Sequence, residues 1–592
     1  MKYTNPVIPG FNPDPSVCRA GKTYYLVTSS FEFFPGVPIY RSTNLVNWEL
    51  IGYCLNRTGQ LPLENCPASR GVYAPTIRYR GGVFFMTSTN TNTRKDGNRY
   101  GNFIVHTRDI CGAWSDPVYV DQGGIDPSLL FDGDTVWFCS NGGGPGQTEP
   151  GIYLCEIDPI TGEKRSPSRL ISKGSGAKCT EAPHIYRVKG WYFLVLAEGG
   201  TEYGHMVTVQ RSRRIEGPYE NCPGNPVLSN RYRHRHPVQA VGHADFFADH
   251  TGNWWLVCLG VRIIDTQELH HLGRETFLAP VRWEEAWPIA DPIELEMDGP
   301  LPEPPRKTPR TVRSAFSGNA LPLSWNYVRV PQPYRLRNNR LFLRGGGQTL
   351  SDPYPVFAGV RQPAFSIAAS VSVSISRGAK AGIAAFYNDS YHYDLVAVWD
   401  KADPEPAVLV NRRIHDMEAV AYKSFPKFFK KDRKSIFLKK DGKSIFLGKD
   451  KKTIFLKKDR KSIFLRKNRK SVFLKKDGKS IFLGKDRKSI FLKKDRKSIF
   501  LGKNRKSIFF RKDEKKSKKR TREVELRIEA DARWYYFSYR LPGGIWRDCG
   551  KAMTAGLCSE GTWRKTFTGV FIGLFAVAGE ARFSGFTLRS NP

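Results

Sequence analysis

No stretch of this chain reaches the eighteen or more apolar residues of a membrane span. Met1-Lys2-Tyr3-Thr4-Asn5-Pro6 also runs on without the apolar segment of a secretory leader, so the chain is expected in the cytoplasm. CxxC spacing is missing too. The eleven cysteines are scattered and odd in number, which argues for free thiols over a disulfide framework or zinc site. Apolar residues nowhere sustain a 3.6-residue period, which excludes long helices. Gly442-Lys443-Ser444 and Gly478-Lys479-Ser480 lack the glycine five residues ahead that a phosphate-binding loop needs. Acidic charge is scarce: 93 Lys plus Arg face 56 Asp plus Glu, a net +37. That excess would suggest nucleic acid or anionic lipid as a partner if it were spread over a folded surface. It is not, because residues 427–520 hold 39 basic and 9 acidic residues, leaving 54 and 47 for the rest.

What the chain has is repetition. At 592 residues it exceeds a single core, so two or three domains are expected. Within the first 290 residues one pattern recurs: a small or acidic residue, proline, a polar residue and an apolar strand. The copies are Asp14-Pro15-Ser16-Val17, Ala74-Pro75-Thr76-Ile77, Asp126-Pro127-Ser128-Leu129, Ala182-Pro183-His184-Ile185 and, more loosely, His243-Ala244-Asp245-Phe246, spaced by 60, 52, 56 and 61 residues. Each is followed by a turn and an aromatic strand, KTYYLVTSS, GVFFMTSTN, TVWFCSNG, WYFLVLAEG and NWWLVCLG, and reads as a hairpin. Further strands follow in several copies, so the unit fits a four-stranded propeller blade. The expected architecture is all-β: a five-bladed propeller over residues 1–298, with a β-sandwich of accidental similarity as the alternative.

Residues 299–313, GPLPEPPRKTPRTVR, read as an extended Pro-rich linker. Beyond it FSIAASVSVSIS, AGIAAFYND, HYDLVAVWD, VELRIEADARWYYFSYRL and FTGVFIGLFAVAG alternate with period two, predicting a β-sandwich over 314–422 and 523–592. It is interrupted by 423–522, nine in-register copies of a Lys-rich nine-residue unit from Ser435 to Ser507. An odd period flips the IFL triplet between faces in successive copies of a continuous strand, and nine misses the helical repeats. The tract is expected to be largely disordered, with lysines guarding aggregation-prone triplets. A polybasic tether to RNA or anionic lipid and a solenoid are the alternatives.

In a propeller the first strand of each blade lines the axis, so equivalent strand ends converge. The register therefore brings together Asp14, Asp126, His243 and the Thr180-Glu181-Ala182 turn. Any one of these acids alone reads equally well as a turn cap. Three carboxylates meeting in a confined site are costly by repulsion and desolvation, and glycoside hydrolysis gives such a set a use. A carboxylic acid protonates the leaving oxygen, an ionised carboxylate activates water on the opposite face, and a third group keeps the acid oriented and protonated. The assignment is Asp14 as general base, Glu181 as general acid and Asp126 as modulator.

These segments resemble glycoside hydrolase family 43, in particular its two-domain β-xylosidases. The resemblance rests on NPVIPGFNPDPSVCRAGKTYYLVTSSFEFFPGVPIYRSTNLVNW, GGIDPSLLFDGD, TEAPHIYRVKGWYFLVLAEGGTEYGH, RSRRIEGPYENCPGNPVL, GHADFF and LGRETFLAPVRW. It places the family's inverting Asp, Asp, Glu set on Asp14, Asp126 and Glu181. It also implies that the second domain reaches over the pocket, that Arg274 meets sugar hydroxyls, and that Phe31 and Tyr73 wall the terminal sugar site. Tyr73 stands where relatives commonly carry Trp. His243 would sit at the axis beneath the acid, near a structural cation, often calcium, or a water. A core histidine is the equal alternative. No cofactor is required for the chemistry. The GGGPG run at Asn141–Gly146 departs from the xylosidase pattern and leaves the leaving-group preference open.

The implied activity is release of terminal xylose from short β-1,4-xylo-oligosaccharides, with α-L-arabinofuranosyl groups as a second substrate of similar hydroxyl pattern. The partner is thus a small oligosaccharide, with no specific nucleic acid expected and the oligomeric state, homo-oligomer included, left open. The competing reading is a non-catalytic carbohydrate-binding propeller, or an enzyme inactivated by the insertion.

Overall fold

The computed structural model describes the chain apart from residues 95, 143–148, 265–268, 308–310, 403–404, 563–565 and 591–592 and the tract 424–521, of which only the backbone of short strands is described. The expectations of disorder, a polybasic tether or a solenoid fall on that tract and lie outside the described residues.

Five four-stranded antiparallel sheets follow one another along the first 290 residues. Their first strands are Ser16–Ala20, Thr76–Arg80, Ile125–Asp132, Glu181–Val188 and Val238–Ala248, one for each copy of the repeat. The aromatic segments form the second strands, for example Thr23–Val27 and Trp254–Arg262. Their apolar side chains pack between neighbouring blades: Val17, Tyr24 and Leu26 of the first meet Trp255, Val257 and Leu278 of the fifth. Each such side chain fully removed from water contributes about 1.5–3 kcal/mol. The ring is closed by Lys2–Thr4 pairing with Glu296–Asp298 and by Asn5, whose amide donates to the Leu278 carbonyl at 3.0 Å.

The repeated Pro-Ser/Thr pair also has a structural role. Thr76 Oγ1 donates to the Pro127 carbonyl at 2.8 Å and Ser128 Oγ to the Pro183 carbonyl at 2.6 Å, so one blade's hydroxyl latches the next blade's proline. In four of the five repeats the residue preceding the proline or its equivalent is turned sharply. Asp14, Asp126, Ala182 and His243 all have left-handed backbone, with φ between 50° and 55°, and bulges interrupt the ladders at Ile125/Ser128, Glu181/His184 and Gly242/Asp245. Such conformations cost non-glycine residues about 1–3 kcal/mol each and cluster where side chains must be aimed.

The second domain is organised by one long strand, Phe571–Ser590. Its first half pairs with Phe357–Arg361 and Lys380–Asn388, and its second half with Thr311–Ser314, Arg340–Gly346 and Ile367–Ser376, so it serves both sheets of the sandwich. The strict alternation of Ile367–Ser376, with Ile367, Ala369, Val371, Val373 and Ile375 buried, is that of a strand covered on one face. Thr311–Ser314 begins inside the segment expected as linker, and its earlier part is tied down at Glu303 and Pro304: Asn44 Nδ2 donates to the Pro304 carbonyl and Thr43 to Glu303. Phe33 stacks on Phe571 at 4.1 Å between ring centres, and Arg361 Nε donates to the Phe11 carbonyl at 2.7 Å. The two domains therefore share an apolar junction directly beside the propeller axis. All eleven cysteines are unpaired.

Candidate active site

At one end of the axis lies a cavity of about 580 Å³. Asp14, Phe31, Tyr73, Asp126, Glu181, His243 and Arg274 all line it, so every site residue expected from the sequence stands in one hollow.

Asp14 is 4% exposed and held from three sides. Ser29 Oγ donates to Oδ2, Arg274 Nη1 and Nη2 reach Oδ1 and Oδ2 at 2.9 and 3.4 Å, and His243 Nδ1 stands 3.7 Å from Oδ1. Asp126 is buried, and burial, followed by the neighbouring Glu181 and Asp14 charges, pushes its carboxyl well above the usual carboxylate range, against the pull of Arg274 and the Ala182 amide. Glu181 is half-buried and opens onto the cavity. Burial pushes the His243 imidazole down, with Arg274 acting in the same direction and Asp14 opposing. Neutral histidine follows.

One wall is aromatic. Phe31 and Tyr73 rings lie 5.1 Å apart, and Phe567, delivered by the second domain, closes the group at 5.8 and 6.2 Å from them. Phe567 is fixed by its main chain: its amide donates to Ser69 Oγ at 3.0 Å and its carbonyl accepts from Arg274 Nη2 at 3.4 Å. The guanidinium lies 5.5 and 5.3 Å from the Phe31 and Phe567 ring centres.

Phe567, Thr201, His205 and Ser69 are cavity residues that the sequence argument left without a role. Thr201 accepts from Arg274 Nη1 at 3.3 Å. His205 donates from Nδ1 to the Ala240 carbonyl at 2.9 Å, and burial pushes it down to about 4. Thr201 and His205 lie within GGTEYGH, a quoted segment, but outside the repeat register. Phe567 belongs to no repeat, so no periodicity could have singled it out. Most of the GGGPG run lies outside the described residues.

Among the described residues no group of three His, Cys, Asp or Glu side chains is arranged to hold a metal ion.

The glycosyl hydrolases family 43 profile matches residues 3–288, and that of the beta xylosidase C-terminal concanavalin A-like domain matches 313–453 and 481–587. A non-reducing end alpha-L-arabinofuranosidase of Bacteroides ovatus is 40% identical over 407 residues, 67% of this chain and 75% of that protein. A xylosidase/arabinosidase of Butyrivibrio fibrisolvens is 37% identical over 426 residues, 67% of this chain and 80% of that protein. Among solved structures, a protein described as Bacteroides ovatus xyloglucan PUL GH43B superposes over the whole of both chains with a TM-score of 0.78 and 30% identity. With a propeller whose axis gathers two aspartates and a glutamate, and relatives that align through both domains, this chain belongs to glycoside hydrolase family 43 and is a glycosidase.

Proposed function

We propose that the chain is an inverting, exo-acting glycosidase that releases terminal xylose from β-1,4-xylo-oligosaccharides and also accepts terminal α-L-arabinofuranosyl groups. The observation that carries this reading is the convergence of Asp14, Asp126 and Glu181 on one cavity, with the Asp126 carboxyl pushed up by burial and then by its two acidic neighbours. The names of the relatives, arabinofuranosidase, xylosidase/arabinosidase and, at 37% identity, a beta-xylosidase of Bacillus subtilis, support both substrates.

Asp14, oriented by Ser29 and Arg274, takes a proton from water as its oxygen bonds to the anomeric carbon. The glycosidic bond breaks and its oxygen leaves with the proton of Glu181. Three carboxyls this close cannot all ionise, so the buried Asp126 keeps a proton in the group it shares with Glu181. Arg274 and the wall of Phe31, Tyr73 and Phe567 hold the terminal sugar. Exo action is supported by the wall that Phe567 and Ser69 close together at one side of the cavity. No group beyond water and carboxylates enters the chemistry.

The test is hydrolysis of aryl β-xyloside and aryl α-arabinofuranoside beside Glu181→Ala, which should lose ~10²–10⁴-fold in rate as removed acid catalysis predicts. Proton NMR of early turnover should show the inverted anomer. A retained first product would remove Asp14 from the role of base.

A further inference from the structure

Directly below the catalytic layer, the inner strands place Ser16, His184 and Asp245 two residues beyond Asp14, Ala182 and His243, on the same axial face. Asp245 is wholly buried, and a buried carboxylate stays in place only if paired and fully hydrogen-bonded. Its partner is Arg78, from the second blade. Arg78 Nη1 reaches Asp245 Oδ2 at 2.9 Å and Ser16 Oγ at 3.3 Å, while Nη2 reaches Asp245 Oδ1 at 3.2 Å and His184 Nδ1 at 2.9 Å. One guanidinium thus joins four of the five blades across the axis.

The carboxylate it meets is spent. Asp245 Oδ2 also accepts from Ser16 Oγ and the Val17 amide, and Oδ1 from the Tyr186 hydroxyl. The Pro127 and Pro183 carbonyls beside it accept from Thr76 and Ser128. Calcium requires about six to eight oxygen ligands, and this layer has its oxygens already committed. His184 accepts from Arg78 and so presents a neutral ring, in keeping with burial pushing it down to about 3.

We infer that the Arg78 guanidinium is the resident cation of the propeller axis, standing where a metal ion would otherwise neutralise Asp245 and draw the blades together. The closure of the propeller is accordingly independent of divalent cations. The same side chain neutralises a fourth carboxylate, Asp245, so that its charge is not added to the group of Asp14, Asp126 and Glu181.

The experiment follows thermal unfolding of the full chain. For the wild-type protein, EDTA should leave the midpoint unchanged, and calorimetric titration with calcium chloride should give no binding. Arg78→Met and Asp245→Asn should each lower the midpoint by several degrees, and the double variant should recover most of the loss of Arg78→Met, because the uncompensated charge is gone. A wild-type midpoint that falls in EDTA and returns with calcium would overturn the inference without involving any variant. So would a double variant whose loss equals the sum of the two single losses, since the pair would then be uncoupled.

Discussion

Arg274 and Asp14, 260 residues apart in sequence, meet as a two-pronged ion pair at 2.9 and 3.4 Å in a site where each is less than a tenth exposed. The pair links the segment just before the third strand of the fifth blade, Glu275–Glu284, to the turn just before the first strand of the first blade, so closing the propeller also builds the site. Arg274→Lys keeps the charge but loses the planar fork that contacts Asp14, Thr201 and the Phe567 carbonyl together. Its kcat/KM should fall ~10²-fold, the scale of a misplaced catalytic group. Steady-state kinetics with circular dichroism as the control for folding measures this.

Asp126 couples stability to function with opposite signs. Its folded carboxyl titrates well above the unfolded one, so the folded state binds more protons. Stability from this group is therefore full below the unfolded value of about 3.9 and is lost as pH rises from there through the raised folded value. Asp126→Asn should unfold at a higher temperature than the wild type at neutral pH, with the difference shrinking toward pH 4, while losing activity. Thermal melts across pH against kcat check it.

The insertion leaves the sandwich at its rim away from the pocket. Ser424 pairs with Ala407, Ala407 with Val398, Val398 with Lys380 and Lys380 with Ala578, whereas Phe571, which packs on the propeller, stands at the other end of that sheet. The separation is seven residues of strand, roughly 23 Å at ~3.3 Å per residue. Arg522, just after the tract, forms an ion pair at 3.3 Å with Glu405, two residues before the Ala407 that faces Ser424. Replacing 426–520 by a short Gly/Ser turn should leave kcat/KM on small substrates unchanged and abolish salt-sensitive retention on heparin. Loss of activity in a folded deletion protein would show that the tract supports the site.

Among the described residues Phe567 is the one cavity side chain contributed by the second domain. Phe567→Ala opens the aromatic wall and frees the Arg274 face, so KM should rise about tenfold, equivalent to ~1.4 kcal/mol. The unfolding midpoint should move little because the ring is only half-buried. Inhibition by xylose, measured alongside, should weaken in parallel.

The propeller was legible because its signal is local and repeated. Proline precedes the apolar strand in four of the five blades, with a hydroxyl after it in the first three, and the hydroxyl-to-proline latches account for Thr76 and Ser128. That same register located Asp14, Asp126 and His243, and placed Glu181 one residue before the equivalent Ala182. Thr201, His205 and Ser69 escaped it because they sit on connections between strands, where no period operates. The Pro-rich segment looked like a free linker from composition, yet Asn44 and Asn47 bind its backbone.

Alternation, repeat spacing and the position of each acid relative to its strand follow from the order of residues alone, because they depend on neighbours along the chain. Which carboxyl is buried, that Arg78 spends the oxygens of Asp245, and that a phenylalanine from the second domain walls the cavity of the first were decided only by tertiary structure. Desolvation and ion pairing depend on distances in space, and those exist only once five sheets have closed around an axis.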